Sequence, residues 1–169
     1  MSLTLQRLSL PTYARGLRVL ALYLDKAAAH AAARGIDEGS IVNARLAADM
    51  LPLSGQVQRA SDTSKNAIAR LLGVDPPRFE DNETTLAELK ARVERTLAYV
   101  VDTDGAKLDA GVDRQITLAF GAFKRDFSGE DYVLDFALPN FHFHVAMTHA
   151  ILRHLGVEVG KLDYLGATL

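Results

Sequence analysis

Four of the five histidines fall in one thirteen-residue stretch: His142, His144, His149 and His154. An imidazole serves as a metal ligand, a proton-transfer group or a hydrogen-bonding core residue, and spacing helps decide among these. A metal site on one helix wants two histidines at i and i+4, which sets both rings on one side a turn apart. No pair in this chain has that spacing. His144 and His149 lie about 140° apart round a helix, and His142 and His149 share a face but sit about 10 Å apart along the axis. Phe141, Val145, Thr148, Ile151, Leu152 and Leu155 form the apolar face of this segment. His144 falls on its inward side, His142 and His149 at a boundary, and His154 away from the core. His144 is then a single good ligand, a base, or a core histidine bonded to a neighbouring helix. His30, among alanines, is expected at solvent or a boundary.

Partners for His144 must come from other elements. Asp49 and Gln56 flank Pro52 near the start of the second long helix. They reach His144 if the two helices run parallel. An Asp49 carboxylate would fix one His144 tautomer and raise its pKa. Thr148 lies one turn beyond His144. The expected pocket is Asp49, Gln56, His144 and Thr148. No cofactor is expected; if a divalent metal binds, its ligands are His144 with Asp49.

Other chemistry is thinly represented. There are no cysteines, so disulfides, thiolate metal sites and thiol nucleophiles are excluded. Gly156-Val157-Glu158-Val159-Gly160-Lys161 is one residue short of a phosphate-binding loop, and Leu162 replaces its Ser/Thr. Asp102-Thr103-Asp104 imitates a calcium loop but places Lys107 where glycine is needed. No Gly-x-Ser-x-Gly elbow occurs. The net charge of −2 and scattered basic residues argue against a nucleic-acid protein. No apolar run approaches the ~18 residues of a membrane span.

The elements that must position these residues are helical. The 169 residues, 49% hydrophobic and 24% charged, suit one domain spanning residues 1–169. The first long helix is expected over Leu10–Arg34, with Ser9 as N-cap and Pro11 in the first turn. Its stripe is Tyr13, Leu17, Leu20, Leu24, Ala27 and Ala31. The second occupies Asn43–Leu72, either kinked at Pro52 or starting there, with a stripe of Leu53, Val57, Ala60, Ser64, Ala67 and Leu71. The third begins at a capping box, Thr85-Leu86-Ala87-Glu88, and ends at Asp102. Ile116, Leu118 and Phe120 alternate as in a short strand or extended loop. Ser128-Gly129-Glu130-Asp131 caps a short helix over Tyr132–Ala137, which Pro139 separates from the fourth long helix, Asn140–Leu155. The pattern reads as an all-α four-helix bundle with a short extra helix or hairpin between helices three and four. Residues 1–24 are basic enough to imitate a transit peptide, but their apolar period runs on past Asp25 as a core helix would. A cytoplasmic location is expected.

Two long motifs carry a resemblance. One is Arg45-Leu46-Ala47-Ala48-Asp49-Met50-Leu51-Pro52-Leu53-Ser54-Gly55-Gln56-Val57. The other is Leu138-Pro139-Asn140-Phe141-His142-Phe143-His144-Val145, running on through Ala150–Gly156 and Gly160–Asp163. Together they resemble a bacterial domain-of-unknown-function family of the DinB/YfiT-like superfamily, over nearly the whole chain. The resemblance implies an up-down-down-up bundle and, as in many relatives, a homodimer. Exposed Phe143 and Met147 fit such an interface. It also implies the superfamily's metal site, three histidines with one from helix two and two from helix four, which some relatives use for thiol transfer or isomerisation. Here Gln56 stands where the first histidine would be, His144 matches the second, and Thr148 occupies the third place. Amide and hydroxyl groups are poor ligands for zinc or nickel. The favoured function is therefore a binding or structural protein without metal, in which the residues around His144 take a small polar ligand or form a buried polar network. The alternative is a metal-dependent thiol transferase or isomerase. A cofactor-free acid–base enzyme using His144 is the third reading.

Overall fold

The computed structural model describes residues 3–167 and 169. Thr4 caps the first helix, α1 (Leu5–Arg34), its hydroxyl accepting from the Arg7 amide. The helix therefore starts five residues before the expected Leu10. Ser9 is not a cap: its hydroxyl donates to the Leu5 carbonyl at 2.7 Å, inside the helix. Pro11 sits within α1 rather than at its start. Gly35 adopts φ 64° and ends it, a left-handed turn that favours glycine.

A short helix, α2 (Glu38–Val42), precedes the 43–52 loop. Pro52 occupies the N-cap of α3 (Leu53–Leu72), so the long helix starts there and does not extend back to Asn43. The capping box at Thr85 and Glu88 opens α4 (Leu86–Val101), and Asp104 caps the short α5 (Gly105–Asp109). The alternating segment is a strand, β1 (Ile116–Phe120), paired antiparallel with β2 (Phe123–Phe127). The chain is thus mostly helical, with one small hairpin among the described residues.

After the hairpin, α6 (Gly129–Asp131) passes into a π-helical turn (Tyr132–Ala137) and on into α7 (Leu138–His154). Pro139 does not break the chain into two helices as expected. A proline ring inside an α-helix collides with the carbonyl four residues back, and the wider π turn just ahead of it relieves that contact. The last helix is α8 (Lys161–Tyr164).

Paired contacts give the helix directions. Asp25 meets Lys90 of α4 at 2.7 Å, and Gln6 meets Asp109 of α5 beyond the end of α4, so α1 runs against α4. Tyr13 packs on Phe141 and Tyr23 on His149, so α1 runs with α7. Arg70 meets Tyr132, Thr63 meets Asn140 and Gln56 meets His144, so α3 and α7 are antiparallel. Contact between Gln56 and His144 therefore does not need the parallel course on which the sequence reading made it conditional. Gln56 and His144 meet because the continuous helical segment starts at Gly129, which puts His144 near its middle.

The six stripe positions of α1 and the six of α3 are all buried. Tyr13, Leu17, Leu20, Leu53, Val57, Leu89, Val93 and Phe141 fill the space between the long helices. Each large apolar side chain so buried contributes about 1.5–3 kcal/mol before the entropy of ordering it. The loop over residues 73–85 doubles back along α3 and is pinned by Arg92, whose side chain is fully buried. Its guanidinium meets Asp62 at 2.8 Å, Glu83 at 2.9 Å and Asp81 at 3.0 Å. Ser61 accepts from its Nε at 3.2 Å.

Candidate functional site

The antiparallel packing of α3 on the π turn and α7 creates a polar seam. From α3 come Gln56, Arg59, Thr63, Asn66 and Arg70, at alternating spacings of three and four. From the facing segment come Tyr132, Phe136, Asn140 and His144, each four residues on. Both series follow one face of a helix. Leu118 and Phe120 of the hairpin and Leu51 of the loop before α3 complete a pocket of about 390 Å³.

His144 sits in its wall, 8% exposed. Its Nδ1 lies 2.8 Å from Gln56 Oε1. The Gln56 amide nitrogen donates to the Leu51 carbonyl at 3.2 Å. A carbonyl only accepts, so this bond turns the amide oxygen toward the imidazole. Nδ1 therefore carries the proton and donates, leaving the Nε2 lone pair as the ring's free acceptor. Burial, with the nearby Arg59 charge second, lowers the His144 pKa to about 4. The ring is neutral at pH 7, a hydrogen-bond acceptor or weak base and not a cation.

The expected residues are thus only partly brought together. Gln56 and His144 meet. Thr148 is buried beside them, but its hydroxyl donates to the His144 carbonyl at 2.9 Å and so serves the helix backbone. Asp49 lies on the exposed 43–52 loop, outside the pocket lining and without a hydrogen bond to His144. The His144 pKa accordingly moves down, where an Asp49 partner would have raised it. Tyr13 and Phe141 pack edge to face at 5.0 Å in the core and do not fill the pocket. Phe143 is half exposed and Met147 partly buried. His142 is partly buried, and burial and Arg15 lower its pKa. His149 Nδ1 lies 2.6 Å from the Tyr23 hydroxyl, and His154 is exposed. His30 is at a boundary with its Nε2 buried and unpartnered among the described residues.

This donor set does not fit a divalent metal. At the three positions implied by the resemblance, the amide oxygen faces an imidazole N–H, the threonine hydroxyl faces a carbonyl, and one imidazole nitrogen remains. Among the described residues no group of three or more His, Cys, Asp or Glu side chains is arranged to hold a metal ion. Gln and Thr donors would in any case be weak ligands for zinc or nickel.

The polar stripe on α3 carries the residues that sequence reasoning missed. Arg59 is held by Asp81 and Asp62. Arg70 Nη1 donates to the Tyr132 hydroxyl at 3.0 Å. Burial raises the Tyr132 pKa against the opposing effect of Arg70, so the phenol stays protonated. The 3-4-3-4 spacing of polar residues beside Gln56 was the available signal.

A family model described as a domain of unknown function, DUF1993, matches residues 5–165. The chain belongs to this family. A crystal structure of a DinB family member from Shewanella denitrificans is 38% identical to this DUF1993 chain. The alignment covers 95% of this chain and 91% of that one, with a TM-score of 0.86. No curated protein matches. The DUF1993 chain is thus DinB-like over almost its whole length, and its helix-two and helix-four motifs fall within the matched span.

Proposed function

We propose that this DUF1993 chain is a binding protein for a small polar ligand, held in the seam pocket without the superfamily's metal. The Gln56–His144 hydrogen bond carries the reading. It uses the helix-two position to fix a neutral imidazole and leaves the other ring nitrogen of this pocket-lining histidine as an acceptor. Pockets of a few hundred Å³ with a few convergent polar groups are the usual form of small-molecule sites. The helix directions given by Asp25–Lys90, Tyr23–His149 and Thr63–Asn140 support the up-down-down-up order. The half-exposed Phe143 supports a homodimer, which sedimentation equilibrium tests directly: a monomer at micromolar concentration rejects it. No helix among the described residues is long and apolar enough to cross a membrane. A cytoplasmic location is part of the same proposal.

The test of the pocket is a nuclear magnetic resonance screen of small polar compounds against protein with labelled histidine. Binders should shift the His144 resonances first, and His144→Gln should abolish those binding events while the fold persists. A screen whose hits all map away from His144 contradicts the proposal.

A further inference from the structure

The charges lining the pocket do not cancel. Arg59 and Arg70 face one carboxylate, Asp62, which leaves one positive charge in excess. Arg59 is already held by Asp81 and lies 3.5 Å from Asp62. Asp62 is held in turn by Arg92 at 2.8 Å and Lys65 at 3.1 Å. Arg70 differs from these. It has no acidic partner among the described residues, and its one side-chain hydrogen bond, to Tyr132, orients the guanidinium and leaves its other N–H groups for a ligand. Arg59, at the His144 end, and Arg70 stand eleven residues apart on α3, roughly 16 Å along the axis. The wall between those ends carries the apolar rings of Phe120 and Phe136.

We infer that the pocket takes an elongated organic monoanion, with a carboxylate on Arg70, an apolar or aromatic body along Phe120 and Phe136, and a hydroxyl or amino donor on His144 Nε2. This rests on the proposal that the His144 pocket is a ligand site. A guanidinium fork matches a carboxylate, and one uncompensated cation matches one negative charge. A phosphate dianion brings a second charge with no free cation to meet it and faces Asp62 as well. The neutral imidazole, whose Nδ1 proton is committed to Gln56, accepts from a ligand donor and repels a ligand acceptor.

Three probes separate these elements: para-hydroxyphenylbutanoate, phenylbutanoate and para-hydroxyphenylbutanol, each titrated by calorimetry into the full chain. The hydroxylated acid should bind most tightly. Removing its carboxylate, or Arg70→Gln, should weaken binding at least about tenfold, the scale of one charge-assisted pair. Arg70→Lys keeps the charge without the fork and should fall between. Removing the hydroxyl should cost affinity in the parent protein but not in His144→Leu. Arg70 is exposed but donates to the hydroxyl of the buried Tyr132, so Arg70→Gln should lower the melting temperature only slightly and leave the fold intact. The inference is overturned if the alcohol binds as well as the acid, or if Arg70→Gln leaves the affinity intact. If none of the three probes binds at millimolar concentration while a neutral compound shifts His144, the monoanion is wrong and the pocket reading stands. If nothing of either kind shifts His144, both fall.

Discussion

Replacing Gln56 with glutamate should reverse the protonation behaviour of His144. In the parent protein, burial and Arg59 lower its pKa from 6.5 to about 4. At about 1.36 kcal/mol per unit, that shift disfavours the charged ring by a few kcal/mol, which water entering the open pocket screens to roughly 2 kcal/mol. The sign follows from proton linkage. The unfolded chain takes up the proton near pH 6.5 and the folded chain only near pH 4, so this part of the stability is whole above pH 6.5 and is lost between pH 6.5 and 4. In Gln56→Glu a carboxylate stands 2.8 Å from Nδ1, in place of the amide oxygen. An opposite charge at that range raises a histidine pKa by about 1–3 units, which brings the pair into the pH 5–7 region. The assay is nitrogen-15 spectroscopy of the histidine rings across pH 3.5–8, paired with urea unfolding at the same pH values. The parent should show an Nδ1–H tautomer and no His144 titration above pH 5. The variant should titrate within that higher window and lose the extra acid sensitivity. A parent His144 that titrates near 6.5, or that carries its proton on Nε2, refutes the reasoning.

Arg92→Met should destabilise by about 3–5 kcal/mol in urea unfolding, because it strips the common partner from Asp62, Asp81 and Glu83 at the α3–α4 crossover. Gly16→Ala places a Cβ into the ring of Phe141 where α1 packs on α7, so its melting transition should fall by the equivalent of about 1–3 kcal/mol. Thr85→Ala removes the acceptor for the Glu88 amide and should cost about 1 kcal/mol, read as a lower denaturant midpoint at unchanged slope.

The long helices were legible because their apolar stripes repeat over many turns. Leu53, Val57, Ala60, Ser64, Ala67 and Leu71 all proved buried, and the capping box at Thr85 was local enough to read directly. The boundaries that moved were set by competition between equivalent groups. Thr4 and Ser9 are both good caps, and the burial of Leu5 with the hydrogen bonds from Gln6 to Asp109 favours the start at Thr4. Pro139 reads as a break because a π turn has no sequence marker. At the site, Gln56 and His144 were identified from face and position. Asp49 was paired with them on proximity in sequence to Pro52, but the 43–52 loop turns it outward. Arg70 and Tyr132 were invisible as partners because their meeting depends on the antiparallel course of two helices sixty-two residues apart. Arg92 looked like any surface arginine until the crossover loop closed over it.

The proposed ligand pocket needs a neutral His144 that holds no metal. Elemental analysis of protein purified without tag or chelator, before and after dialysis against nickel, zinc or manganese, tests it most directly. No stoichiometric transition metal and unchanged His144 resonances are expected. One equivalent of bound metal that disappears in His144→Ala would contradict it.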